Sequence, residues 1–367
     1  MPGKLINVLL VEDSATVRAY LRDLVAGQPD MLVVGEAFDG LDGVQKTKRL
    51  RPDVVVMDIH MPRLDGVEAI RKIMAEQPTS IVIFCARSDA AGVSRSFEGL
   101  KAGALALVEK PNVVSGREQC QTGQELVQRL RVLSGIRPVR RRAPRSAGGA
   151  TPAPAARRLG GSETPRVTPG TLADAPPARR PTRVDLLAIG ASTGGPAALA
   201  AVLKGLDRQR VPPIVIAQHI MAGFTAGMAD WLGTEVGMPV RVAAPGQLPL
   251  RGVAYLAPDD RSLTLDSSGR LRCPNKPTDG IRPSVDLLFE SAADALGPRA
   301  VGVLLTGMGD DGAAGMATLR RRGAWTIAQS AEGCVVFGMP KAAIERGAAC
   351  QVAQLDQIGA ELTALIP

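Results

Sequence analysis

At 367 residues and 45% hydrophobic, the chain is long enough for two domains with ample cores. Its formal net charge of +8 suggests a nucleic-acid binder only until it is divided: residues 137–183 hold eleven Arg against Glu163 and Asp174, a surplus of nine, and the remainder carries −1. The 5 cysteines are scattered and lack C-x-x-C spacing, which argues against a disulfide framework or a zinc site and fits a reducing cytoplasm, and no apolar run reaches membrane-spanning length.

Residues 6–11, Ile-Asn-Val-Leu-Leu-Val, read as a buried strand ending in Glu12 and Asp13, too short and too quickly followed by acids for a signal peptide. Helical stretches follow at 16–26 and 40–50, and residues 54–57 form a second strand ending in Asp58. A helix at 67–76 precedes a strand at 81–84 that leads to Cys85; a helix at 93–102 precedes a strand at 105–108 that leads to Lys110, and 124–133 is again helical. This alternation predicts a five-stranded, doubly wound parallel sheet. Three carboxylates at one sheet edge repel one another unless a cation sits among them, and Mg²⁺ suits hard oxygen ligands. Asp58 is then the natural phosphoryl acceptor, and Lys110 pairs with a carboxylate or an incoming phosphoryl group. Taken singly, Glu12 and Asp13 read as a helix start before Ser14, Asp58 as a loop acid and Lys110 as a solvated charge; grouped at strand ends, they resist that reading.

The motifs V-E-D-S, P-D-V-V-V-M-D-I-H-M-P-R-L-D-G and E-K-P resemble response-regulator receiver domains over about residues 4–135. The resemblance implies phosphorylation of Asp58 by a histidine kinase of the CheA type, with Mg²⁺ held by Glu12, Asp13, Asp58 and the His60 backbone carbonyl. Cys85 stands where the family has the switch Ser or Thr, and Leu107 where it has an aromatic; a thiol is the poorer hydrogen-bond donor.

Residues 136–183 are biased to Pro, Ala, Gly and Arg and predict a disordered tether. As a flexible coil, the 47 residues from 137 to 183 span roughly 40 Å. The cluster Arg140-Arg141-Arg142 has an alternative reading as a contact for nucleic acid or acidic lipid; a solvated tether is the simpler one.

Beyond the tether, residues 184–191 read as a strand followed by Ser192 in Gly190-Ala-Ser-Thr-Gly-Gly195, with a helix from Pro196. Residues 213–218 form another strand that delivers His219, and 299–306 a third that delivers Gly307-Met308-Gly309-Asp310-Asp311-Gly312 before a helix at 313–321. A serine nucleophile needs a base of near-neutral pKa, and His219 is the only histidine in this half. Asp310 or Asp311 supplies the carboxylate that orients the imidazole, and backbone N–H groups of the glycine-rich turn and around Met308 are candidates for an oxyanion site. Helix capping by Ser192, Thr193 or the two aspartates is the bland alternative for each loop alone. The order Ser, His, Asp differs from that of α/β-hydrolases, and the loop lacks the G-x-G-x-x-G or P-loop pattern of nucleotide sites.

The motifs I-G-A-S-T-G-G-P, A-Q-H-I, R-P-S-V-D-L-L-F, L-L-T-G-M-G-D-D-G-A-A-G-M and C-V-V-F-G-M-P resemble the CheB family of chemotaxis protein-glutamate methylesterases over about residues 184–350. The expected architecture is α/β throughout: a receiver at 1–135, a linker at 136–183, and at 184–367 a larger, mostly parallel methylesterase domain with an antiparallel hairpin. The resemblance implies hydrolysis of glutamate methyl esters and deamidation of certain glutamines on cytoplasmic chemoreceptor helices. Ser192 is then the nucleophile, His219 the base, Asp311 the orienting acid, and Thr193 and the Met308 backbone contact substrate or oxyanion. No cofactor is expected for the hydrolase reaction, and neither a nucleic-acid partner nor direct membrane insertion. Asp310 replaces the family's usual Asn, and Ile220-Met221 its common Met-Pro. The alternative from another class is a receptor-binding adaptor with a vestigial triad; a DNA-binding regulator is more distant, with no evident recognition helix.

Overall fold

The computed structural model describes residues 4–86, 90–111, 116–136, 170–172, 174–275 and 283–366. The first unit runs β1 (Ile6–Val11), α1 (Ala15–Ala26), β2 (Met31–Ala37), α2 (Gly40–Leu50), β3 (Val54–Met57), α3 (Gly66–Glu76), β4 (Ser80–Cys85), α4 (Ala90–Ala102), β5 (Ala106–Glu109) and α5 (Gly116–Ser134). Its five strands are parallel in the order β2-β1-β3-β4-β5. Helices cover both faces, so β3 and β4 are buried along their whole length, as their unbroken apolar runs require. Short polar side chains start the helices: Ser14, Asp39 and Asp65 accept the N–H groups of Val17, Asp42 and Glu68.

The second unit runs β6 (Leu186–Ala191), α6 (Gly195–Lys204), β7 (Ile214–Gln218), α7 (Thr225–Val236), β8 (Val240–Val242), β9 (Ala254–Leu256), β10 (Thr264–Leu265), β11 (Leu271–Arg272), α8 (Val285–Leu296), β12 (Ala300–Leu304), α9 (Ala313–Arg321), β13 (Trp325–Gln329), α10 (Met339–Glu345), β14 (Gln351–Ala353) and α11 (Leu355–Leu365). Seven strands form a parallel sheet in the order β14-β13-β12-β6-β7-β9-β8, and β10 and β11 form the expected antiparallel hairpin. The chain leaves β6 toward β7 on one side and returns as β12 on the other. The switch point of the sheet therefore lies at β12-β6-β7, where a crevice opens beyond the carboxyl ends.

Of the expected linker, 137–169 and residue 173 lie outside the described residues. Its last stretch differs from a free coil. The Gly170 N–H donates to the Ile344 carbonyl at 3.0 Å, and Leu172 packs on the core of the second sheet.

The two units pack together through α4 and α7. Phe97 of α4 stacks on Trp231 with centroids 5.5 Å apart and meets Phe224 edge-on at 6.5 Å. Lys101 of α4 pairs with Glu235 at 2.6 Å, and Lys204 of α6 pairs with the same carboxylate. Among the described residues, no helix is long and apolar enough to cross a membrane.

Candidate active site

Ser192, His219 and Asp311 follow three strands that are neighbours in the sheet, β6, β7 and β12. The Ser192 turn is tied down by backbone: its N–H donates to Thr306 O at 3.0 Å, and the Gly195 N–H returns to Ser192 O at 2.8 Å. Gly194 adopts φ +78, which favours glycine, and a Cβ on Gly195 would lie 2.0 Å from Gln218 Oε1. The helix cap of α6 is Gly194, without any side-chain bond, so neither Ser192 nor Thr193 caps it. Ser192 and Thr193 are buried, and both remain uncommitted to the helix.

His219 Nε2 lies 2.8 Å from Asp311 Oδ2, with both side chains about nine-tenths buried. An ionised carboxylate only accepts, so Nε2 donates in this bond, and in the neutral imidazole Nδ1 is the nitrogen left to accept a proton. Asp311 also accepts the N–H groups of Val285 at 2.8 Å and Asp286 at 3.0 Å, together with the Ser284 hydroxyl at 3.3 Å. Burial works against ionisation of Asp311, but His219 and these donors outweigh it and hold the carboxyl below the usual range. Asp311 thus sits at the amino end of α8, not on α9, whose cap is Gly312 without a side-chain bond. Asp310 turns outward to Arg346 at 3.2 Å and leaves the imidazole to Asp311.

Ser192 and His219 line one cavity with Pro196, Gln218, Ile220 and Met221. No hydrogen bond joins Ser192 Oγ to His219 among the described residues; catalytic bonds of this kind often close only around substrate. Neither the Thr193 nor the Met308 backbone N–H donates to another backbone group among the described residues, which leaves two donors beside the nucleophile turn.

Two residues inside the quoted motifs, given no role by the sequence reading, brace this site. Gln218 Nε2 donates to the carbonyls of Ser192 and His219, both at 2.9 Å, and so ties the Ser192 turn to the end of β7. Thr306 Oγ1 donates to Thr193 O at 3.0 Å and accepts the Val336 N–H at 2.9 Å. Each is a polar residue ending an apolar strand beside a site motif, and that was the signal that could have found it.

The first unit closes the crevice. Leu100, Leu105, Leu107 and Arg129 complete the wall around Ser192 and His219, leaving a cavity of about 30 Å³. Arg129 is fixed by Leu107 O at 3.0 Å and Glu125 at 2.5 Å. That space holds a water or two and no ester side chain.

In the first unit, just past the carboxyl ends of β1 and β3, ligand atoms of Glu12, Asp13 and Asp58 lie within 4.8 Å of one another. Lys110 Nζ stands 2.8 Å from Glu12 and 3.0 Å from Asp58, and these two carboxylates outweigh burial to raise its own pKa. Burial and then repulsion by Asp58 push the Glu12 carboxyl up to about 7, and its Oε2 finds no well-aligned donor. An under-compensated carboxylate group of this kind fits a hard divalent cation. His60 is exposed, and no backbone hydrogen bond ends on its carbonyl among the described residues. Cys85 is buried between this cluster and α4; burial pushes its thiol up to about 11, and Sγ lies 3.9 Å from Val108 O.

A doubly wound sheet with clustered carboxylates thus packs over a crevice lined by Ser192 and His219, and known proteins share both halves. Residues 187–362 match the CheB methylesterase family model, and 8–116 match the response regulator receiver domain. The chain is 39% identical to a protein-glutamate methylesterase/protein-glutamine glutaminase of Nitrosospira multiformis, over 99% of this chain and 97% of that protein. A protein of the same name, numbered 4, from Geobacter metallireducens is 38% identical over 98% of this chain and 99% of its own length. The crystal structure of the Thermotoga maritima CheB methylesterase catalytic domain covers 50% of this chain and 100% of its own, at 34% identity and a TM-score of 0.48. The chain belongs to the CheB methylesterase family.

Proposed function

We propose that the chain hydrolyses glutamate methyl esters, and deamidates certain glutamines, on the cytoplasmic helices of chemoreceptors. Phosphorylation of Asp58 by a CheA-type histidine kinase controls the reaction in chemotaxis adaptation or a related chemosensory pathway. The working units are the receiver at 1–135, the linker at 136–183 and the methylesterase domain at 184–367, acting in the cytoplasm. One observation carries the reading: Ser192, His219 and Asp311 come from three adjacent strand ends, with His219 and Asp311 already joined at 2.8 Å.

In the reaction, Ser192 Oγ attacks the side-chain carbonyl while His219 Nδ1 takes its proton, and Asp311 stabilises the imidazolium. The Thr193 and Met308 N–H groups receive the oxyanion, a contribution of ~10²–10³ in rate per donor. His219 returns the proton to departing methanol, or to ammonia from a glutamine, and water then frees the acyl-serine through the same groups. Glu12, Asp13, Asp58 and the His60 carbonyl are the residues that would hold Mg²⁺, which when bound offsets the charge brought by a phosphoryl group. Asp58 accepts that group, Lys110 pairs with it, and Cys85 takes the switch position. Phosphorylation loosens the receiver from the crevice; a shift from 1:99 to 99:1 requires ~5.5 kcal/mol, so partial opening suffices for partial activation.

Ser192→Ala should abolish methanol release from methylated receptor while its circular dichroism and melting stay those of the wild type. Substantial turnover by this variant contradicts the role given to Ser192.

A further inference from the structure

Asp286 makes a second set of bonds that mirrors those of Asp311. Its Oδ1 accepts the Gly312 N–H at 2.9 Å and the Gly315 N–H at 2.7 Å, while its own N–H donates to Asp311. Each carboxylate therefore sits on the amino end of the other's helix: Asp311 on α8 and Asp286 on α9. The contact is close, since a Cβ on Gly315 would lie 2.5 Å from the Asp286 carbonyl oxygen. The segment that carries Asp311 is glycine-rich. Gly309 and Gly312 both have positive φ, and Gly312 directly follows Asp311.

A buried carboxylate beside another is unfavourable; burial, with repulsion from Asp311, raises the Asp286 pKa even though the Gly315 and Gly312 N–H groups pull it down. Its bonds all serve the loop that carries Asp311.

We infer that Asp286 is a positioning residue of the hydrolase: by tying Gly312 and Gly315 to α8, it holds the Asp311 carboxylate on His219 Nε2 and keeps Nδ1 free for Ser192. The inference rests on the triad reading above.

The chain has only 2 histidines, His60 and His219, so ¹⁵N imidazole spectra are assigned by comparison with His60→Gln. Wild type should show neutral His219 as the single Nε2–H tautomer. Asp286→Ala should show mixed tautomers and a kcat for methanol release ~10- to 100-fold lower at unchanged KM, the scale expected of a misplacement near 1 Å. Asp286→Asn, whose oxygen accepts the same two N–H groups, should restore both. Asp286→Glu, which keeps the charge and displaces it, should behave like Asp286→Ala and serves in its place if the alanine variant does not fold. A wild-type tautomer and kcat in Asp286→Ala or Asp286→Glu overturns the inference. So does an Asp286→Asn as impaired as Asp286→Ala, because charge would then be responsible. If wild type releases no methanol, the hydrolase reading fails, and the tautomer spectra still decide the role of Asp286.

Discussion

Asp310 and Asp311 stand side by side in the chain, and one step of backbone sends the first to Arg346 at the surface and the second to His219 in the crevice. Residue chemistry alone leaves that choice open, because two adjacent carboxylates in a glycine-rich turn differ only in the direction each faces; the family resemblance is what implies Asp311. Sequence points to Ser192 and His219 more directly: His219 is the only histidine in this half, and Ser192 follows an apolar strand in a glycine-rich turn. Asp311 also has a pH signature. Its folded carboxyl lies below the unfolded value of about 4, so the unfolded chain takes up the proton first as pH falls. The stability it supplies is therefore complete above about pH 5 and is lost as pH falls through the lower folded value. Asp311→Asn should be less stable than wild type in urea at neutral pH, with the gap closing below about pH 4. A gap that does not change with pH contradicts this.

At the scale of elements, β1, β3, α2 and α9 have the bounds their apolar runs and flanking signals predict, and β4 and β5 shift by about one residue at their ends. β2 was implied by the count of five and not placed, because it is an edge strand whose burial is mixed and whose pairing with β1 shifts between Val8 and Leu9. The α4 pattern Val93, Phe97, Leu100 is an i, i+4, i+7 stripe, which predicts a buried face without saying that the face meets α7 of another unit. Val93 fills the space that the absent Cβ of Gly227 leaves. The rim of this contact is open to mutation without damage to either core. Lys101→Glu sets a like charge against Glu235, and an exposed pair of this kind is worth ~0.2–1 kcal/mol, so unphosphorylated methanol release should rise roughly 1.4- to fivefold. No rise would mean that the α4 contact does not restrain the crevice.

For the whole molecule, the family could be read from motifs, and its resemblance implies a receiver that covers the triad; which residues close the crevice, Leu100, Leu105, Leu107 and Arg129, could not be read, since no local pattern encodes how two separately folded sheets meet. Leu107 illustrates the point: by motif it fills an aromatic position of the receiver, and in space it walls the Ser192 cavity. Acceptor and crevice belong to different sheets, so their coupling must pass through the packing of one unit on the other. A small-molecule phosphodonor should raise wild-type methanol release and leave Asp58→Asn unchanged; equal stimulation of both would remove Asp58 from the account. The most direct measurement is the rate at which a fluorophosphonate ester modifies Ser192, read by peptide mass with and without phosphodonor. The account predicts a single adduct, on Ser192, that forms faster after phosphorylation. An unmodified Ser192 in protein that still releases methanol, or a rate indifferent to phosphorylation, would contradict it.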